Sequence, residues 1–166
     1  MLILTAVILP LAGAIVVAAW HSLTERAARI LATIFAACPL FLLVLCWARF
    51  DPAAGGYQQV TDWPWIPAVG AGIRFGIDGI SLPVAAMSAL LYMIAAAYPV
   101  DFRGRVRQYL GWVLFLEFVS LGIFLTIDLL LFYVFFDLSL VGMYFLIAQW
   151  GHENARQAAI KFILYT

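Results

Sequence analysis

Two carboxyls in this sequence stand where carboxyls are rare. Asp137 lies near the middle of LLLFYVFFDLSLVGMYFLIAQW (Leu129–Trp150), and Glu117 lies seven residues into a second apolar run, Leu110–Ile127. An Asp at the centre of a membrane helix costs about 3 kcal/mol on the insertion scale, and each large apolar residue returns roughly 0.3–0.6 kcal/mol. Fourteen Leu, Ile, Phe, Val and Met surround Asp137 in its run, so the segment inserts despite the acid. Intramembrane carboxyls typically face a bundle interior or a water path and pair with a base, which makes proton or ion handling the first chemistry to consider.

Helical spacing sharpens the case. At about 100° per residue, Tyr133, Asp137 and Tyr144 fall within about 40° of one another, so one face carries a carboxyl between two phenols. Ser139 points the other way, while Ser120 lies on a face near Glu117. Counted from the apolar run ends, Glu117 is about 10 Å from one membrane surface and Asp137 about 12 Å from the other. Their depths then differ by about 8 Å, which favours two stations joined by water or a third group over one shared proton. A lysine that moves relative to such an acid switches its proton affinity. The plainer reading is a buried acid hydrogen-bonded to a neighbouring helix, holding the bundle together.

The remaining polar residues are less specific. Lys161 either snorkels to the membrane surface or serves as a base for an acid in the bundle. Asp128 reads as a solvated turn residue between two spans, and His21 and His152 as headgroup-level residues. Cys38 and Cys46, eight apart in one apolar run, read as small packing residues without metal-ligand spacing. Gly70, Gly72, Gly76 and Gly79 lack the GxGxxG context and the Lys-Ser/Thr pair of a phosphate loop and read as turn makers.

The elements that position these groups follow from composition. Of 166 residues 66% are hydrophobic and 11% charged, against about 25% charged in a soluble domain, so the solvent is a lipid bilayer. Zero net charge gives no nucleic-acid footprint. About 30 Å of hydrocarbon needs about 20 helical residues. Five spans meet that length: roughly 2–20, 29–48, 80–100, 110–127 and 129–150. Helices are chosen because lipid leaves no partner for an open backbone, so the fold class is an all-α polytopic membrane helix bundle. Trp20, Trp47, Trp112 and Trp150 sit at span ends as an aromatic belt. Pro83 falls in a first turn, where it is tolerated, and Pro39 predicts a kink in the second helix. The first span lacks the basic start of a signal peptide and is read as a retained helix.

Alternate loops divide the cations unequally. Arg26, Arg29, Arg103, Arg105, Arg107, Arg156 and Lys161 fall on one side, and Arg49 and Arg74 on the other. Seven against two puts the first set in the cytoplasm and the N-terminus outside. The long loop 49–79 is then on the outer face, and DWPWIPAVGAGIRFGIDGISLP within it suggests a β-hairpin. A sixth apolar segment, residues 155–166, reaches only about 18 Å, which predicts that the chain is an N-terminal fragment or that another piece completes it.

GIDGISLPVAAMSALL (Gly76–Leu91), DLLLFYVFFDLSLVGMYFLIAQWG (Asp128–Gly151) and AAIKFILYT (Ala158–Thr166) together resemble the subunit M family of bacterial NADH–quinone oxidoreductase, complex I. Its mitochondrial counterpart is subunit 4. Antiporter subunits of multisubunit cation/proton exchangers and membrane subunits of proton-pumping hydrogenases share the pattern. The resemblance implies an antiporter-like, proton-translocating subunit of about fourteen helices without a redox centre of its own. NAD, FMN, iron–sulfur clusters and quinone would belong to partner subunits, and the partners would be neighbouring complex I membrane subunits in a bacterial inner membrane. In that family the fifth-helix acid pairs with a lysine on the seventh helix. Asp137 matches that position and Glu117 the fourth-helix glutamate; Tyr133, Tyr144 and Lys161 are supporting candidates from the helical spacing and the residue types, not from the resemblance. Asp137 departs from the usual Glu by one methylene, a loss of over about 1 Å of reach that a bridging water restores. The competing readings are a cation/proton antiporter subunit, a hydrogenase membrane subunit, or a structural membrane subunit without transport.

Overall fold

The computed structural model describes residues 1–99, 105–151 and 153–166. Six helices and one hairpin follow in order: α1 Leu2–Ala19, α2 Glu25–Ala48, β1 Gln58–Ile66, β2 Ala71–Ile77, α3 Ser81–Ala97, α4 Val106–Leu125, α5 Leu129–Trp150 and α6 Ala155–Tyr165. α4 is the hub, packed against α1, α2, α3 and α5, and α6 leans on α5.

Two helices begin earlier than the apolar runs suggested. α2 starts at Glu25, not Arg29, because the Thr24 hydroxyl accepts the Ala27 N–H at 3.3 Å and caps a polar first turn. α4 starts at Val106, not Leu110, and ends at Leu125. Both helices extend as polar turns beyond the oil-compatible stretch, which hydropathy alone does not register. α2 runs through Pro39, and α1 through Pro10, as single helices.

α1, α2, α4 and α5 are long and apolar enough to cross a membrane. The third span is shorter than its expected range 80–100: α3 has 17 residues, about 26 Å, and falls below that length. Its expected end at Val100 lies outside the described residues, as do Arg103 and His152. Asp78 and Ser81 start α3 reciprocally. The Asp78 carboxylate accepts the Ser81 N–H at 2.6 Å, and the Ser81 hydroxyl accepts the Asp78 N–H at 3.0 Å. Pro83 occupies the first turn as expected.

The expected hairpin is present. β1 and β2 pair antiparallel with Thr61 opposite Phe75, Asp62 opposite Arg74 and Trp63 opposite Ile73. The connection is a 3-10 turn, Pro67–Val69, closed by Gly70 at φ 70°. Gly70 is therefore a true turn glycine, but Gly72 and Gly76 lie within β2. A Cβ on Gly72 would press on the Trp63 carbonyl and the Arg74 side chain at 3.1 Å, so close packing rather than turning accounts for it.

Loop contacts sort the two ends of the bundle. The Arg107 guanidinium donates to the Trp20 and His21 carbonyls, tying the start of α4 to the α1–α2 turn. At the opposite end the hairpin meets the α4–α5 junction. The Ile127 N–H and the Thr126 hydroxyl donate to the Arg74 carbonyl at 3.1 and 3.2 Å. A core of Ile3, Val7, Leu43, Phe75, Ile77, Leu82, Leu121 and Leu125 fills the hairpin end. Alanines fill the other, where Ala14, Ala28, Ala32, Ala36 and Ala96 let the backbones approach closely. Trp112 is half-buried six residues into α4, just past its polar first turn, and stacks on Phe145 at 4.6 Å.

Candidate functional site

Glu117 lies inside the bundle. Its side chain is fully buried on α4, and neither carboxyl oxygen has a hydrogen-bond partner among the described residues. Leaving a buried polar group unmade costs about 1–3 kcal/mol, and more if it is charged. Such a group is rare enough in a packed core to need an explanation. Ser120 stands one turn on and exchanges a hydrogen bond with the Tyr92 hydroxyl of α3 at 2.9 Å. Tyr92 was not singled out from the sequence, although a phenol amid the alanines of α3 was the available signal.

Asp137 is placed differently. α5 meets α4 along a stripe of Leu131, Phe135, Leu138, Gly142 and Phe145. Asp137, Tyr133 and Tyr144 share a face, as their spacing required, but its centre lies about 140° around the helix from the centre of that stripe. Asp137 and Tyr133 are exposed and Tyr144 is half-buried. The face therefore points out of the described bundle rather than into it. Lys161 is exposed on α6, and neither it nor Asp137 forms an ion pair among the described residues. Ser139 donates to its own helix, at the Phe136 carbonyl, 2.6 Å.

The depth relation of the two acids also changes. Glu117 stands eight residues before the end of α4, and Asp137 eight residues after the start of α5. Both are about 12 Å from the hairpin end, so the expected 8 Å offset disappears. The earlier start and end of α4 are the reason. The acids are level but face opposite ways.

Asp128 is not the solvated turn residue its position suggested. It is buried at the start of α5. One carboxylate oxygen accepts the Leu130 and Leu131 N–H groups at 3.0 and 3.1 Å, capping the helix. The other accepts the Gly72 N–H of β2 at 3.0 Å and lies 3.6 Å from the Arg74 guanidinium, which also donates to Asp62 at 2.9 Å. The Gly72 N–H first, then those of Leu131 and Leu130, with Arg74 in support, hold the Asp128 carboxyl below the usual carboxylate range against the opposing effect of burial. Among the described residues no group of three or more His, Cys, Asp and Glu could hold a metal ion. Cys38 is half-buried and Cys46 buried, both free.

The family described as NADH:quinone oxidoreductase/Mrp antiporter, TM, matches residues 126–166. NADH-quinone oxidoreductase subunit M of Rhodobacter capsulatus is 35% identical over 162 residues, which is 95% of this chain and 31% of that protein. This chain is therefore similar, over nearly its whole length, to the NADH–quinone oxidoreductase subunit M and Mrp-antiporter-like membrane proteins. An NAD(P)H-quinone oxidoreductase chain 4 of Nostoc is 33% identical over 75% of this chain and 23% of its own length. Among solved structures, respiratory complex I from Thermus thermophilus with bound NADH contains a chain that superposes with a TM-score of 0.79 at 27% identity. The match covers 99% of this chain and 32% of that one. A membrane-bound sulfane sulfur reductase shares the fold alone, at TM-score 0.72 and 16% identity. This chain thus spans about a third or less of the relatives it matches. The family match contains Asp128, Tyr133, Asp137, Tyr144 and Lys161, and Glu117 lies outside it.

Proposed function

We propose that this chain supplies part of a proton-translocating membrane subunit of respiratory complex I, with Glu117 and Asp137 as proton stations. Glu117 carries the reading: a carboxyl sealed in an apolar bundle without a partner among the described residues is poorly suited to hold helices together and well suited to exchange a proton. Asp137 supplies the second station on the outward face of α5. Leaving it against lipid would be costly, so further helices of the longer subunit cover that face and bring the base. NAD, FMN, iron–sulfur clusters and quinone are assigned to partner subunits in a bacterial respiratory membrane, and neighbouring antiporter-like subunits are the packing partners.

Five crossings fit this reading. The hairpin precedes α3 at one end, and α4 begins at the other, beside the α1–α2 turn. α3 then traverses the bilayer with local thinning or snorkelling at its ends. The clustering of Arg26, Arg29, Arg105 and Arg107 on the side opposite the hairpin supports a cytoplasmic location there, with the N-terminus and hairpin outside. The family description also covers cation/proton antiporters, which makes that activity the second reading.

The test is Glu117→Gln and Asp137→Asn in the full-length subunit within its assembled complex. Loss of proton translocation, with subunit content and NADH dehydrogenation by the peripheral part retained, is the expected result. Undiminished pumping in both variants, or failure of the whole complex to assemble, would leave only a structural role. Copurification without quinone and iron–sulfur subunits would favour the antiporter.

A further inference from the structure

We infer that the hydroxyls of Tyr92 and Ser120 form the proton handover to Glu117 from the hairpin side of the bundle. The inference rests on Glu117 being a proton station. Three observations meet here: a fully buried carboxyl with two unpartnered oxygens, a Ser one turn away on the same helix, and a phenol from α3 bonded to that Ser at 2.9 Å. Two hydroxyls that share one hydrogen bond keep one hydrogen uncommitted. When Tyr92 donates to Ser120, the Ser120 hydrogen is free to turn towards Glu117, one turn along the same face. When Ser120 donates to Tyr92, the phenol hydrogen is free to turn outward.

Position sets the direction. Ser120 is five residues from the hairpin end of α4, about 8 Å, and Glu117 is about 12 Å. A side chain on α3 leans towards the start of its helix, which is the hairpin end, so the Tyr92 ring reaches back to the level of Ser120. The pair therefore occupies the turn between Glu117 and the hairpin end. Transfer balances without any other reactant than a water-borne proton. The proton arrives on the Tyr92 oxygen, the phenol hydrogen passes to the Ser120 oxygen, and the Ser120 hydrogen passes to the Glu117 carboxylate once a rotation of the Glu117 side chain closes the gap that separates them here. Rotation of the two hydroxyls resets the pair.

The test uses the assembled complex in sealed vesicles. Tyr92→Phe keeps the ring and its packing and removes the hydroxyl. Proton translocation per NADH oxidised falls several-fold while the complex stays intact. Ser120→Ala gives the same loss, and Ser120→Thr, which restores a hydroxyl, recovers most of it. If Glu117→Gln abolishes pumping while Tyr92→Phe and Ser120→Ala pump as the unsubstituted complex does, the handover is overturned and the Glu117 station stands. If Glu117→Gln itself pumps normally, the station fails and the handover with it. Should Tyr92→Phe not assemble, the Ser120 pair decides: equal activity of the Ala and Thr variants overturns the handover.

Discussion

Asp128 offers a substitution whose effect can be partitioned atom by atom. Its first oxygen caps α5 through Leu130 and Leu131, and its second receives the Gly72 N–H from the hairpin. Asp128→Asn keeps one acceptor oxygen and replaces the other with a donor. The cap survives, since Asn caps helices about as well as Asp. The buried Gly72 N–H is then left facing an N–H group, at a cost of roughly 1–3 kcal/mol. Flipping the amide only moves the loss from the tether to the cap. Asp128→Ala removes both functions and adds about 1 kcal/mol for the cap. The predicted order is therefore native, then Asn lower by roughly 1–3 kcal/mol, then Ala lower by roughly 2–4 kcal/mol. Denaturant unfolding of the full-length subunit in micelles measures the order, and protease cleavage within residues 49–57 reports whether the hairpin has come loose. An Asn variant within about 0.5 kcal/mol of native, the usual spread of a neutral surface change, would refute the tether.

Other expectations can be checked alongside. A methyl on Gly142 would press into Leu116, and one on Gly122 into the Phe135 ring. Gly142→Ala and Gly122→Ala should each destabilise the α4–α5 pair by about 1–3 kcal/mol, with Phe135→Leu relieving the second in a double-variant cycle. The Asp128 and Asp78 carboxyls are both held below their ordinary value of 3.8, the first chiefly by the Gly72 N–H and the second chiefly by the Ser81 N–H. A lowered folded value gives stability that is present above the unfolded value and lost as pH falls through the folded one. Hairpin docking, followed by protease cleavage, should therefore be flat from neutrality to about pH 4 and loosen only below it. Asp137→Glu, which keeps the carboxyl and lengthens its arm by one methylene, should retain or raise proton translocation, whereas Asp137→Asn should abolish it. Equal activity of these two variants would contradict a role for the carboxyl.

What could be read from the sequence divides along physical lines. Apolar runs of membrane length located the helices because lipid demands them, and the β-branched and aromatic stretch before Asp78 located the hairpin. Helix starts were misplaced wherever a polar first turn extends past the oil, as at Thr24–Arg29 and at Val106–Tyr109. The start of α4 at Val106, together with its end at Leu125, removes the expected depth difference between Glu117 and Asp137. The shared face of Tyr133, Asp137 and Tyr144 was legible from a 100° repeat, but the direction it faces was not. That direction depends on which stripe of α5 meets α4, and Gly142 and Phe135 decide it through tight contacts. Asp128 was misread because capping a helix and holding a strand 56 residues distant in sequence leave no local signature. Tyr92 was missed because its partner is on another helix.

The central claim is that the carboxyl of Glu117, closed inside the bundle, gains and loses a proton during turnover. Infrared difference spectroscopy of the assembled complex reads this directly, through the carbonyl stretch of a protonated carboxyl. The account predicts a band that appears and disappears with NADH-driven turnover and is absent from the Glu117→Gln variant. A Glu117 band that stays constant throughout turnover would contradict it.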